Sequence, residues 1–295
     1  MYDRILGRFL VDAQRITEEQ LQEAIDTQDS IRVKLGVIAI SEKLMTIEQT
    51  EEINALQAKK DKRFGDLAIE KEYLTEEQVK KLLGLQGNEY LIFIQTLLDK
   101  HFITMETLDV ALEDYRKVHG FMESEMNTLK SGDIDKIVPM FLTMENPLCR
   151  QLFVYAVKTI YRLVDSHVAI SESYKTACIH VDTLGYQKLI GSHEGFMGIS
   201  GNIDPIIKMA LAYTKETFVE NSEDALDAIC ELINCTNGIF ATKLSQERIE
   251  VDMEPPVYSA FPKEVKGKDL YVLPLIVCGE KIDLLISIDH TISID

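Results

Sequence analysis

Along the first third of the chain, apolar residues come in short bursts that repeat every 29 positions. The bursts are Leu6-Gly7 through Leu10, Leu35-Gly36 through Ile40, Phe64-Gly65 through Ile69, and a glycine-free version, Phe93 through Leu98. After each stands a threonine in register: Thr17, Thr46, Thr75 and Thr104. Gln20, Gln49 and Gln78 follow the first three threonines at the spacing of a capping box, in which hydroxyl and amide satisfy each other's backbone at a helix start. Thr107 takes the glutamine's place in the fourth copy, which predicts a weaker cap. Each copy therefore reads as a helix pair. A stripe such as Leu21, Ala24, Ile25 and Gln28 needs neighbouring copies to bury it.

This pattern stops near His119-Gly120, and Ser131-Gly132-Asp133 predicts a turn before Ile134 to Leu142. The boundary falls within 116 to 133. It gives a helical repeat domain over 1–119 and a second domain over 120–295, of which 120–146 connects the two. Pro147 opens a helix carrying Leu148, Leu152, Tyr155, Ala156, Thr159, Ile160 and Leu163 at three- and four-residue spacing. Val168 to Ser171, Thr176 to Val181 and Gly195 to Ile199 then read as strands, with Gly191, Gly195, Gly198 and Gly201 at strand turns. Helices are predicted from Asp204 to about Phe218 and from Ser222 to about Asn237, the latter closed by Gly238 at C′. A hairpin of Leu270 to Val277 and Lys281 to Ile288 ends the chain. The fold class is α+β: an all-α array of four 29-residue helix pairs, then a sheet packed with long helices.

A net charge of −18 opposes binding to nucleic acid and to anionic membrane surfaces, and no concentrated basic patch offsets it. The nearest, Lys59, Lys60, Lys62 and Arg63, is interrupted by Asp61. Asp3, Arg4 and Arg8 break the N-terminal apolar residues, so no signal peptide is expected. A cytoplasmic location follows. The five cysteines lack paired C-x-x-C spacing and read as reduced, mostly buried thiols. His180 and Asp182 share a strand face with no third ligand evident, so no metal site and no cofactor are assigned to this chain.

The repeat, L-G-x-x-L followed by I-T-E-E-Q-L and a closing glutamine, resembles the N-terminal domain of type II secretion ATPases. Some members of that family bind cyclic di-GMP through R-L-G-x-x-L-x-x-x-G. Copy one retains Leu6, Gly7, Leu10, Leu21 and Gln28, with Ile5 where the arginine belongs. Copy two has Lys34, Leu35, Gly36 and Gln57, and copy three has Arg63, Gly65, Leu83 and Gln86. The resemblance makes Arg63, Gly65 and Gln86 the candidate nucleotide contacts. The motif's closing glycine is replaced by Gln14, Lys43 and Glu72, which favours a protein-interaction scaffold over a nucleotide sensor.

In the helix after Ser222, Asp227, Glu231 and Asn234 fall within an arc of roughly 60° at about 100° per residue. Ala225, Ile229, Leu232 and Thr236 take the opposite side, so the helix buries one face and presents an acid and an amide on the other. A solvated polar face is the plain alternative. The spacing D-x-x-x-E-x-x-N, preceded by Gly191 to Ser200 and followed by Ile249 to Tyr258 with Pro255-Pro256-Val257, resembles the CheX/CheC chemotaxis phosphatase family over about 150 to 290. One motif copy makes CheX the nearer relative. The resemblance implies hydrolysis of the aspartyl phosphate of a CheY-like receiver: Asn234 orients the attacking water, Glu231 pairs with a receiver lysine, and Asp227 supports Glu231. Magnesium belongs to the receiver, and a homodimer is implied. A non-catalytic receiver-binding adaptor is the alternative, with a cyclic di-GMP sensor as the third.

Overall fold

The computed structural model describes residues 1–27, 32–57, 59–60, 62–215, 219 and 221–295; Gln28, Asp61 and Phe218, named above, lie outside the described residues. The chain packs as two units, one of Tyr2–Gly132 and one containing Asp133–Asp295.

The first unit holds helices α1 (Tyr2–Asp12), α2 (Glu18–Thr27), α3 (Leu35–Ser41), α4 (Ile47–Gln57), α5 (Phe64–Glu70), α6 (Glu76–Gly84), α7 (Glu89–Asp99), α8 (Met105–His119) and α9 (Glu123–Ser131). Thr17 Oγ1 accepts from the Gln20 amide at 3.2 Å, and Gln20 Oε1 accepts from the Thr17 amide at 2.9 Å. The same reciprocal bonds recur at Thr46/Gln49 and Thr75/Gln78. Thr104 keeps only the bond from the Thr107 amide, while the two hydroxyls meet at 3.1 Å. The glycines of the first three copies have a packing reason. A methyl group on Gly7 would lie 2.5 Å from Leu21 Cδ1, on Gly36 2.5 Å from Thr50 Cγ2, and on Gly65 2.9 Å from Val79 Cγ1. The two helices of a copy touch there. Gln14, Lys43, Glu72 and His101, just before each cap, all adopt left-handed backbone, with φ of 55°, 56°, 59° and 57°. Each of these turns thus takes up left-handed backbone without a glycine.

Residues 120–146 hold more structure than a connection. Helix α9 buries Met126 and Leu129 and ends at Gly132, whose φ of 74° closes it.

The second unit begins with α10 (Ile134–Ile137), one turn of 3-10 helix (Val138–Phe141) and α11 (Pro147–Leu163). Asn146 Oδ1 caps α11 by accepting from the Leu148 and Cys149 amides. There follow β1 (Ala169–Ile170), β2 (Tyr174–Val181), β3 (Thr183–Gly191), β4 (Gly195–Gly201), α12 (Ile203–Thr214), α13 (Ser222–Gln246), β5 (Val251–Met253), β6 (Val257–Ser259), β7 (Lys263–Val277), β8 (Glu280–Ile288) and β9 (Ile292–Ile294). The strands form one antiparallel sheet in the order β1-β7-β8-β4-β3-β5; β2 and β9 also pair with β7, and β6 with β3. One core joins six strands through Val181, Leu184, Phe196, Val265, Leu270, Val272, Leu285 and Ile292. Helix α13 packs against β3 and against both α11 and α12. The whole is mixed helix and sheet.

Several of the expected element boundaries differ in the structure. Helix α13 does not stop at Gly238 but runs to Gln246, because Phe240 and Leu244, at 1% and 0% exposure, extend its buried stripe. Helix α12 is described from Ile203 to Thr214, followed by a left-handed Lys215; the expected end at Phe218 lies outside the described residues. Strand β3 was not legible, since Gly185 and a buried Gln187 interrupt its apolar alternation. Gly195, Gly198 and Gly201 lie inside β4, not at turns; only Gly191, with φ 119°, turns the chain. The final hairpin forms with Cys278 and Gly279 both at positive φ, but β7 begins at Lys263, where a run of charges hides the strand.

Candidate functional site

The site is built on α13. Asn221 Oδ1 accepts from the Glu223 and Asp224 amides, which starts the helix, and those two acids favour its positive N-terminal end. Ala225, Ile229, Leu232 and Thr236 are buried, as are Leu226, Cys230, Ile233 and Asn237. Asp227 and Glu231 are exposed and Asn234 is half-buried. Gly185 of β3 allows this contact: a methyl group there would meet Ile229 Cγ2 at 3.1 Å. The strand thereby brings Gln187, two residues on, beneath the polar end of the helix.

Three carboxamides are joined at that point. Gln187 Nε2 donates to Asn234 Oδ1 at 2.8 Å and to the Glu254 carbonyl at 2.9 Å. Gln187 Oε1 accepts from Asn237 Nδ2 at 2.9 Å. Gln187 is 1% exposed and Asn237 0%. Asn237 Oδ1 is buried with no hydrogen-bond partner among the described residues, an arrangement that ordinarily costs about 1–3 kcal/mol. Sequence reasoning named Asn234 but missed Gln187 and Asn237. Asn237 was legible only as a polar residue on the side of α13 that also carries Cys230 and Ile233.

A neighbouring thiol and a neighbouring phenol are held protonated. Burial, then the Asp227 charge, pushes the Cys230 thiol up to about 11. Burial raises the Tyr213 phenol of α12, followed by the charges of Cys235 and Glu231. Beyond Glu254 the chain exposes three large apolar side chains, Val257, Tyr258 and Phe261, the last at 75%. Val257 pairs with Tyr186, so this apolar rim adjoins the buried amides.

The expected nucleotide contacts lie in the first unit. Arg63 is exposed at the start of α5, and Gly65 is buried against Val79. Gln86 is engaged by its own neighbours: Nε2 donates to the Val33 carbonyl at 2.9 Å, and Oε1 accepts from Arg32 at 3.1 Å. A cavity of about 920 Å³ in this unit is lined by Tyr90, Asp109 and Lys130 among others, and by none of those three.

His180 meets Cys178 and Glu264, not Asp182. Cys178 Sγ donates to Glu264 Oε1 at 3.0 Å, and His180 Nε2 lies 3.3 Å from the same oxygen. These are the ligand types of a metal site. However, the Lys266 ammonium sits 2.6 Å from Glu264, the imidazole is 82% exposed, and the carboxylate raises the thiol pKa, opposing the thiolate a metal needs. The group reads as a surface ion-pair cluster.

Residues 183–268 match the family model described as chemotaxis phosphatase CheX, a span that runs from β3 through α13 into β7. Among solved structures, the chain is similar to a chemotaxis protein CheX from Desulfovibrio desulfuricans, with 11% identity over 48% of this chain and 99% of that one, TM-score 0.43. A CheC-like superfamily protein from Shewanella sp. PV-4 gives 15% identity over 49% and 99%, TM-score 0.40. The CheX–CheY–BeF3–Mg2+ complex from Borrelia burgdorferi gives 18% over 48% and 94%, TM-score 0.39. No curated protein matches the chain. Among the described residues, no helix is long and apolar enough to cross a membrane.

Proposed function

We propose that the second unit removes phosphate from the aspartyl phosphate of a CheY-like receiver domain. The observation that carries this reading is the exposed Glu231 one turn from Asn234 on α13, with Asn234 anchored from behind by Gln187. The family match across the same helix supports it.

Phosphoryl transfer asks mainly for positioning and charge stabilisation. In the reaction, a water oxygen bonds to phosphorus as the bond from phosphorus to the aspartate oxygen breaks. The products are inorganic phosphate, which takes the water's proton, and a free aspartate. Asn234 holds the reacting water in line without acting as a base, and its neutral amide adds no repulsion toward the phosphoryl group. Glu231 pairs with the lysine of the receiver and registers the two proteins. Asp227, one turn before Glu231, faces the same partner. The magnesium that balances the phosphoryl charge is carried by the receiver. Val257, Tyr258 and Phe261 supply an apolar rim of the kind that docking surfaces bury. The first unit acts as the interaction module.

The test is the decay of a phosphorylated CheY-like receiver with and without the protein. Wild type accelerates phosphate release, and Asn234→Ala loses at least about tenfold of that acceleration while still binding the receiver. Unchanged decay alongside retained binding would favour the adaptor reading and overturn the enzyme. For the first unit, a calorimetric titration with cyclic di-GMP is expected to give no heat.

A further inference from the structure

A strand position that faces a packed helix is ordinarily apolar, yet Gln187 occupies one at 1% exposure. Its carboxamide is fully committed. Oε1 accepts from Asn237 Nδ2, and Nε2 donates both to the Glu254 carbonyl and to Asn234 Oδ1. A backbone carbonyl can only accept, so Gln187 cannot turn over without setting its own oxygen against that of Glu254. This fixed orientation passes outward. Whatever atom of Asn234 faces Gln187 Nε2 must be an acceptor, so Oδ1 turns inward and the NH2 group is left for a partner. An asparagine on an open helix face would present either end.

We infer that Gln187 is a positioning residue: clamped by Asn237 and the Glu254 carbonyl, it holds Asn234 in the single orientation that offers amide N–H donors to the reacting oxygens. This rests on the phosphatase reading above and deepens it, because it assigns which end of the Asn234 amide meets the substrate. If Gln187 merely filled the core, an apolar side chain would serve better there. The fully buried Asn237, whose Oδ1 has no partner among the described residues, would have no purpose. As one end of a clamp it has one. It occupies the Gln187 oxygen, leaving both Gln187 N–H groups for Glu254 and Asn234.

Two variants test this in the full chain. Gln187→Met removes the clamp, and Gln187→Met/Asn237→Leu also replaces the buried partner, so that no amide is stranded in the core. The first readout needs no activity: 15N relaxation of the Asn234 side-chain NH2, assigned by its loss in Asn234→Ala. The group is expected to be rigid in wild type and mobile in both variants. The second readout is dephosphorylation of the receiver, where kcat falls about tenfold or more while KM changes less than about twofold. A folded double variant that keeps the Asn234 amide rigid, or turns over at the wild-type rate, overturns the inference. A wild-type protein that leaves the phosphorylated receiver untouched sinks the phosphatase reading instead, and the relaxation comparison still decides whether Gln187 positions Asn234.

Discussion

Left-handed backbone at a residue other than glycine costs about 1–2 kcal/mol, and in the first unit this chain accepts it at Gln14, Lys43, Glu72 and His101, each at the turn between the helices of a copy. Glu72 is exposed, so Glu72→Gly relieves the strain and leaves only the greater freedom of glycine in the unfolded chain to offset the gain. The expected result is a stabilisation of up to about 1 kcal/mol, read as a higher urea midpoint at unchanged slope. A lower midpoint would mean that the Glu72 side chain has a role in the turn. The caps and the acid-amide pair of α13 were legible at this scale because each joins residues three or four apart. Gln187 was not, since it meets Asn234 across 47 positions of sequence.

Among the elements, the contact of α13 with β3 decides where the polar helix face sits. Gly185 is the residue that admits the helix, and Gly185→Ala places a methyl 3.1 Å from Ile229 Cγ2 and 3.6 Å from Cys230 Sγ. Overpacking of this kind costs about 1–3 kcal/mol. Because the displaced strand also carries Gln187, receiver dephosphorylation should fall together with the melting temperature. Activity preserved in the face of a lower melting temperature would show that the contact supports the fold alone. The length of α13 illustrates a limit of reading elements from sequence. Gly238 is a strong stop signal by itself, and tertiary burial of Phe240 and Leu244 overrides it. The same holds for β3, whose alternation is broken by the two residues, Gly185 and Gln187, that serve the helix rather than the sheet.

For the whole molecule, the cysteines tie stability to pH. Burial pushes Cys149 up to about 12 and Cys230 and Cys278 up to about 11, from the ordinary thiol value of 9.0. A group whose folded pKa is raised lends its full stabilisation below the unfolded pKa and loses it as pH rises through the folded value. The melting temperature is therefore expected to hold up to about pH 9 and to fall between pH 9 and about 12, with Cys149→Ala showing a shallower fall by differential scanning fluorimetry. A variant with the same alkaline slope as wild type would count against this origin. The acidic composition acts at this scale too. A net charge of −18 leaves the docking of a partner dependent on local features such as the apolar rim, not on a general field. What the chain determined unaided is whatever its neighbours along the sequence could enforce: the 29-residue period, the threonine caps, the α+β order, and the line of Asp227, Glu231 and Asn234. Tertiary structure alone decided which way the Asn234 amide faces and that Cys178 and His180 share Glu264, because strand pairing and helix packing join residues that no local spacing relates.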